Sequence, residues 1–530
     1  MNITRSIFAT HNYGVISKRC FSVSFRNFNP TVPSYKIAIV GTGPAGFYTA
    51  HHLLHKAAPS EQFKLKIDFF ERLPAPYGLS RYGVAPDHPE VKNCENYLNN
   101  IMEDYPPEKD SNRESNNHEV RFFGNINIGK DITLTDLESN YHSIILSYGC
   151  TSDDNQLDIP GSQLPGVISA REFVHWYNGH PDYHSVGAQF TPPQLDKIED
   201  VTIIGNGNVA LDVARILLAE PEKHWSSTDI SKEALDSLFR SNVKNVNIVA
   251  RRGILESAFS NKEIRELLEL SKDQKVRFLP IENTVMESIQ PMVKGLGRID
   301  KRRVGLLEKY SKQSPEVDNS MKTWSLQYLR TPIEFKINEN SPDLLSTTTF
   351  QKNELIHDSL TNKIQIKPID GEIESIKNEL VIMSIGYKGS PLVGFEEAEI
   401  SFDTHRNRLL NKEGRILSTS ASGEESHNLV YKRGWYTSGW IKNGPKGVIA
   451  TTMMESFETA DNVLEDLSNT IHTNPSSDST VLEEKLKTIP AISWESWLKL
   501  EQVELKKGSE LGKSRDKLSN TAEMLKIACK

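Results

Sequence analysis

Two short stretches of this chain set glycines at the spacing that lets backbone close on a phosphate. Each is followed by residues able to select what that phosphate carries. The first is Gly41-Thr42-Gly43-Pro44-Ala45-Gly46, with Glu71 further on. In such a loop the first glycine makes a tight turn and the second lets backbone approach a pyrophosphate. The third lets helix and strand pack closely, and the helix N-terminus favours the phosphate charge. A carboxylate at Glu71 accepts hydrogen bonds from ribose hydroxyls, which suits FAD. The second stretch is Gly205-Asn206-Gly207-Asn208-Val209-Ala210, with Ala210 in place of the third glycine, and it is answered by Arg251-Arg252. A carboxylate there would repel a 2′-phosphate, whereas two guanidiniums pair with it through charge-assisted bonds, which suits NADPH. The bland alternative is a solvated arginine pair at a strand end. A third glycine-rich stretch, 439–452, could bring backbone amides against a flavin ring or simply turn the chain before a buried helix.

The elements around these residues are the ones the chemistry needs. Residues 35–40 (YKIAIV) read as a strand running into Gly41. FYTAHHLLHKA follows as a helix, and residues 65–70 (LKIDFF) form a second strand closing on Glu71. The pattern recurs with a strand at 200–204 (DVTII), a helix in LDVARILLAE, a polar insertion at 221–242 and a strand at 245–250. Strand, glycine turn, helix, strand is one βαβ unit, and two of them predict an α/β fold. Residues 380–385 (LVIMSI), ending at Gly386, read as a strand returning the chain to the first domain. Polar segments at 106–119, 336–378 and 418–428 read as surface loops or inserted hairpins. The expected division is a leader and linker at 1–34, a first FAD-binding part at 35–150, an NADP-binding domain at 151–380, and a second FAD-binding part with a C-terminal tail at 381–530.

Composition narrows the alternatives. The chain has 530 residues, 37% hydrophobic and 25% charged, a globular balance for two or three domains. No run of 18 apolar residues is present to span a bilayer. Cys20, Cys94, Cys150 and Cys529 are scattered, so neither a disulfide framework, a redox CxxC nor an iron–sulfur cluster is supported. The first sixty residues contain no Asp or Glu but carry Arg5, Lys18, Arg19 and Arg26 among Ser, Asn and Phe. That composition predicts a mitochondrial transit peptide, with a cut after Phe21. The alternative is a basic tail with no address. His51, His52 and His55 share a helix with nothing to complete a metal set, so they read as helix surface. Residues 508–514 mimic a phosphate loop with its glycines one residue too close. Lys294, Arg298, Lys301, Arg302 and Arg303 form a basic run on a chain of net charge −8. Such a run either steers an acidic partner or is a solvated helix face.

Extended strings carry more than glycine spacing does. They include FFERLPAPYGLSRYGVAPDHPEVKN (69–93), GNGNVALDVARILL (205–218), RRGILESAFSNKEIREL (251–267) and GWIKNGPKGVIATTM (439–453), with SWESWLKLEQVELKKGSELGKSRDKL (493–518) in the tail. From about residue 35 to its end, the chain closely resembles the adrenodoxin reductase family of mitochondrial NADPH–ferredoxin reductases and their bacterial relatives. The resemblance implies two doubly wound Rossmann-like nucleotide domains, the NADP domain inserted into the FAD domain. It implies FAD contacts at Ala45, Glu71, Leu79, Ile128, Trp440, Gly447, Val448 and Ile449. NADP contacts would fall at Asn206, Gly207, Asn208, Val209, Arg251, Arg252, Glu263 and Gly447, with Asn206 where relatives commonly carry Gln. His88 and Asp212 would approach each other near the flavin, acting with Glu263 as tuning residues. NADPH would pass hydride from its C4 to the flavin N5, and electrons would leave singly for a [2Fe–2S] ferredoxin received at Arg298, Lys301, Arg302 and Arg303. The iron–sulfur centre would belong to the partner, with no metal in this chain. The matrix, or the matrix side of the inner membrane, would be its place. A flavin monooxygenase and a non-catalytic FAD-binding subunit are the rival readings, while a thioredoxin-reductase-type enzyme lacks its CxxC here.

Overall fold

The computed structural model describes residues 32–59, 62–107, 118–150, 153–184, 188, 190–273, 275–312, 321–358, 363–419, 429–476 and 480–529. The basic leader, with Arg5, Lys18, Arg19 and Phe21, lies outside the described residues, as do most of 106–119 and 418–428.

Among the described residues two large sheets organise the chain, the first mixed and the second wholly parallel. The first has seven strands: Asn411–Lys412, Arg415–Thr419, Leu429–Thr437, Ser143–Leu146, Ser34–Val40, Lys64–Phe70 and Glu119–Phe123, in that spatial order. Its last five strands run parallel. The second has six, in the order Val167–Ser169, Leu380–Met383, Asp200–Ile204, Asn245–Val249, Lys322–Gln327 and Val276–Phe278, all parallel. Strands covered by helices on both faces lose the polar–apolar alternation of a one-sided sheet. Ser143–Leu146 and Asp200–Ile204 are accordingly buried at every position. The whole second sheet lies, in sequence, between the Ser143–Leu146 and Leu429–Thr437 strands of the first. Where the chain crosses, Asp153–Asp154 pairs antiparallel with Tyr387–Lys388.

Two expectations are corrected here. Residues 380–385 do not rejoin the first sheet: Leu380–Met383 pairs with Asp200–Ile204 and Val167–Ser169. A four-residue apolar strand has no feature that names its partner, and hydrogen bonding alone decides the sheet. The segment 221–242 is not a polar insertion. It forms helices Pro221–His224 and Lys232–Phe239, and buries Trp225, Ile230, Ala234 and Leu238 in the core of the second sheet. The segment 336–378 is the hairpin kind of insertion, most of a three-stranded antiparallel sheet of Arg330–Asn338, Ser341–Asp358 and Lys363–Lys377.

The C-terminal tail seals both units. Helix Trp494–Glu510 carries a fully buried carboxylate, Glu504. Its Oε1 accepts from Arg81 (2.5 Å) and from the Leu518 backbone N–H (2.9 Å), and its Oε2 accepts from Arg515 (3.0 Å). Beyond that helix, Lys513 Nζ donates to the Ile230 carbonyl (2.6 Å), and Lys517 Nζ reaches Asp229 (2.9 Å) and the Arg81 carbonyl (3.1 Å). Residues 508–514 are thus a helix end and strap, not a phosphate loop. Removing one partner of a buried ion pair strands the other, at about 3–5 kcal/mol. Glu504→Ala should lower unfolding stability by that amount in urea titration, and a loss below about 1 kcal/mol would contradict the strap.

Candidate functional site

The acid-ended loop sits at the C-terminal edge of the first sheet. Gly41 has φ +97°, and a Cβ there would strike the backbone of Ser147 and Tyr148. A side chain on Gly46 would run into the Gly41 carbonyl, the close helix–strand packing the third glycine permits. Gly43 differs: among the described residues, only Gly78 lies within 4 Å of a Cβ placed there, at 3.9 Å. That open cradle, at the start of helix Pro44–Ala57, is what a pyrophosphate needs. Glu71 is buried, and its Oε2 accepts from Thr42 N–H (3.0 Å) and Thr42 Oγ1–H (2.8 Å) while Oε1 accepts from Leu73 N–H (3.0 Å). The carboxylate therefore locks the loop and stands at the cleft wall.

One cleft gathers Gly41, Gly43, Ala45, Glu71, Leu79, Ile128, Trp440 and Ile449. The third glycine stretch joins it because a Cβ on Gly439 would collide with Ala45, which pins Trp440 and Ile449 against the first helix. Gly447 and Val448 lie on the turn into helix Ile449–Ser468, Val448 exposed, and neither lines the cleft. Sequence reasoning missed Arg72, Tyr82, Tyr148, His175, His180 and Thr452 on the same wall. Arg72 adjoins Glu71 and Thr452 falls within the third stretch, but His175 and His180 lie between motifs and carry no signal.

The arginine-ended loop repeats the geometry on the second sheet. Gly205 has φ +112°, and a Cβ there would strike the Ser384 carbonyl, while a Cβ on Gly207 would meet nothing within 4 Å among the described residues. Asn206 Nδ2 donates to Ser257 Oγ (3.2 Å), so the shorter side chain is used within the protein. Asn208 Oδ1 accepts from Ser260 N–H (2.8 Å), and Val209 packs on the core. Arg251 and Arg252 are exposed, while their carbonyls are held by Asn353 Nδ2 (3.2 Å) and Leu329 N–H (3.2 Å). The backbone is fixed and the two guanidiniums face solvent.

Between the loops, His88, Asp212 and Glu263 bring one ligating atom each within 4.8 Å of one another. Arg215 supplies the cation of this cluster. It contacts Asp87 (2.6 Å), Asp212 (2.9 Å), Glu263 (3.8 Å) and Glu266 (4.0 Å), and its Nη2 lies 3.3 Å from His88 Nε2. His88 Nε2 also lies 2.9 Å from Glu266. Sequence reasoning did not name Asp87, Arg215 or Glu266. The signal was present in i, i+3 pairs, Asp212 with Arg215 and Glu263 with Glu266, each on one helix face. Burial, then the charge of Asp212, pushes the Glu263 carboxyl up to about 7, and burial also raises Asp212 against the pull of Arg215.

The basic run divides. Arg298, Lys301 and Arg302 are exposed on helix Arg298–Lys312, beside Ile299 at 68% exposure. Arg303 does not belong with them. It is 8% exposed, lies over the Phe259 ring at 5.6 Å, and donates to the Leu255 and Phe259 carbonyls (both 3.4 Å). It pins the helix to the loop after Arg252, because this position of the run falls on the face that the helix turns toward the core.

The model for the pyridine nucleotide-disulphide oxidoreductase family matches residues 35–294, the span holding both glycine loops and the arginine pair. Two such loops on two parallel sheets define a two-dinucleotide oxidoreductase. The chain is 38% identical over 522 residues to the probable mitochondrial NADPH:adrenodoxin oxidoreductase of Saccharomyces cerevisiae, covering 95% of this chain and 98% of that protein. It is 35% identical over 515 residues to the mitochondrial NADPH:adrenodoxin oxidoreductase of Bos taurus, covering 95% of this chain and 94% of that one. Mycobacterium tuberculosis FprA in complex with NADPH is similar at a TM-score of 0.79 and 32% identity, covering 94% of this chain and all of that one. The chain belongs to the NADPH:adrenodoxin oxidoreductase family.

A carboxyl raised by burial binds its proton in the folded protein at pH values where the unfolded chain has lost it. For Glu263 the resulting cost is absent below its ordinary 4.5, grows as pH rises, and is fully present above about 7. Glu263→Gln should therefore stabilise the protein by roughly 1–2 kcal/mol at pH 8 and leave it unchanged near pH 4.5. Thermal melts at the two pH values check this, and an equal effect at both would contradict it.

Proposed function

We propose that this chain draws reducing equivalents from NADPH at the arginine-ended loop and passes them through FAD at the acid-ended loop to an adrenodoxin-type [2Fe–2S] ferredoxin. The observation that carries this reading is the pairing, in one chain, of two open glycine cradles with opposite charge logic, Glu71 behind one and Arg251-Arg252 behind the other. FAD, when bound, supplies the conversion between two-electron chemistry at the nicotinamide and one-electron chemistry at an iron–sulfur partner.

The chain's own residues supply position and charge. Gly43 and the N-terminus of helix Pro44–Ala57 would hold the flavin nucleotide's pyrophosphate, and Glu71 its ribose. Ala45, Leu79, Ile128, Trp440 and Ile449 would form the apolar walls, with Gly447 and Val448 at the turn where the two cofactors meet. Gly207, Asn208 and Val209 would hold the NADP pyrophosphate, and Arg251 and Arg252 its 2′-phosphate. Asn206 would contribute backbone alone. His88, Asp212 and Glu263 would tune the junction through the shared charge of Arg215. The acid-free leader, together with the mitochondrial names of the relatives, supports import into the matrix.

The 2′-phosphate assignment has a direct test. Replacing Arg251 and Arg252 together with Ala removes two charge-assisted bonds of about 1.5–3 kcal/mol each. The kcat/KM for NADPH should fall roughly a hundredfold or more, with NADH little affected. An unchanged preference for NADPH would overturn the assignment.

Arg298, Lys301 and Arg302 are the face proposed for the acidic ferredoxin, with Arg303 withdrawn from that set. Exposed charges act over a Debye length of about 8–10 Å, so they govern encounter more than chemistry. The double variant Arg298→Glu, Arg302→Glu should slow ferredoxin-dependent cytochrome c reduction several-fold, most at low salt. Ferricyanide reduction should stay near wild type. Ferredoxin turnover unaffected at every salt concentration would place docking elsewhere.

A further inference from the structure

Part of the wall of the acid-ended cleft comes from the other unit. His175 and His180 line that cleft, yet both belong to helix Ala170–Tyr177 and the turn after it, which continue directly from strand Val167–Ser169 of the second sheet. Phe173, Val174, Trp176 and Tyr177 of the same helix are built into the second sheet's core. The two imidazoles are 3% and 5% exposed and stacked, with centroids 4.6 Å apart and planes 16° from parallel.

The two rings differ in how they are satisfied. His180 Nδ1 accepts from the Asp182 N–H (3.2 Å), and the Asp182 carboxylate pairs with Arg72 (2.8 Å), the residue after Glu71. His175 Nδ1 is buried and has no hydrogen-bond partner among the described residues. An unpaired buried imidazole nitrogen is costly and rare in native proteins, so a partner is expected from the cavity the ring faces. Burial and neighbouring cations hold both imidazoles well below their ordinary range, so they are neutral. A neutral imidazole offers one donor and one acceptor without charge, which matches a ribose hydroxyl or a heterocycle edge better than a phosphate.

We propose that His175 is a further FAD-binding residue, its Nδ1 hydrogen-bonding to the bound dinucleotide, so that FAD ties the second sheet's unit to the first. The inference rests on the proposed assignment of this cleft to FAD. It adds that the cofactor spans the junction, and that occupancy of the cleft holds the two units together.

The experiment titrates flavin-stripped protein with FAD and compares wild type with His175→Phe, which keeps a ring, and His175→Asn, which keeps a polar atom near the Nδ1 position. His175→Phe should raise the FAD Kd by about tenfold, and His175→Asn by no more than about threefold. At saturating FAD, amide hydrogen exchange across residues 170–177 should slow on binding in wild type and much less in His175→Phe. If wild type takes up no FAD, the cleft assignment fails and this inference with it. If wild type binds FAD and His175→Phe binds it equally well, or both variants lose it equally, the hydrogen bond is absent and only this inference falls. Should His175→Phe not fold, 15N-histidine-labelled wild type decides alone. The His175 Nδ1 resonance moves by several ppm on FAD addition if the bond forms, and its constancy overturns the proposal.

Discussion

A buried guanidinium, together with the C-terminal strap, holds the junction between the two halves of this protein. Arg215 projects from the helix that follows the second glycine loop and meets Asp87, from the loop beside the first cleft, along with Asp212, Glu263 and Glu266. A charge removed from water is tolerated only when it is paired, so these segments cannot separate without exposing it. Burial, and then the charge of Asp212, disfavours ionisation of Glu263 in this cluster, while Arg215 holds the Asp87 carboxyl below its ordinary range despite its burial. The same cluster that joins the two units therefore keeps the Glu263 carboxyl protonated to a higher pH than its ordinary value.

Under the proposed assignment, the two loops are one backbone solution serving different nucleotides. Their positive-φ first glycines, open second glycines and following helices are nearly interchangeable. The two units differ at the end of the next strand, where a buried carboxylate bonded to its own loop stands in one and two solvent-facing arginines in the other, and the proposed assignment places discrimination there. Glu71 is satisfied internally, while among the described residues Arg251 and Arg252 are tethered by their carbonyls, which under the proposed assignment leaves their charge for the 2′-phosphate.

What could be read in the sequence follows the range of the interactions involved. Glycine turns, the helices after them and the residue closing each strand are local patterns, and they converge in space as their spacing predicts. Longer-range facts were less visible. Leu380–Met383 gives no hint of which sheet it joins, and 221–242 looks polar because its buried Trp225, Ile230 and Leu238 are spread over several turns. Arg303 is indistinguishable in sequence from Arg302, though one packs on Phe259 and the other faces water. His175 and His180 sit outside any motif, and only the docking of their helix across the junction brings them to the first cleft. The extended strings, in contrast, carried family membership because they encode these distant contacts together.

The interleaving of the two sheets has a consequence for the order in which the protein can be made. All strands of the second sheet have emerged once Met383 is synthesised. The first sheet begins with the earliest strand but needs Leu429–Thr437 beside Ser143–Leu146, and the Thr437 side chain bonds the Leu146 carbonyl across 291 residues. Glu504 and Lys517 arrive later still. During vectorial synthesis, or threading through a pore from the N-terminus, the inserted unit is the first that can complete itself. The acid-ended loop, which heads the fold, waits open for the tail to close around it, so the nucleotide cleft encoded first is the last to be finished.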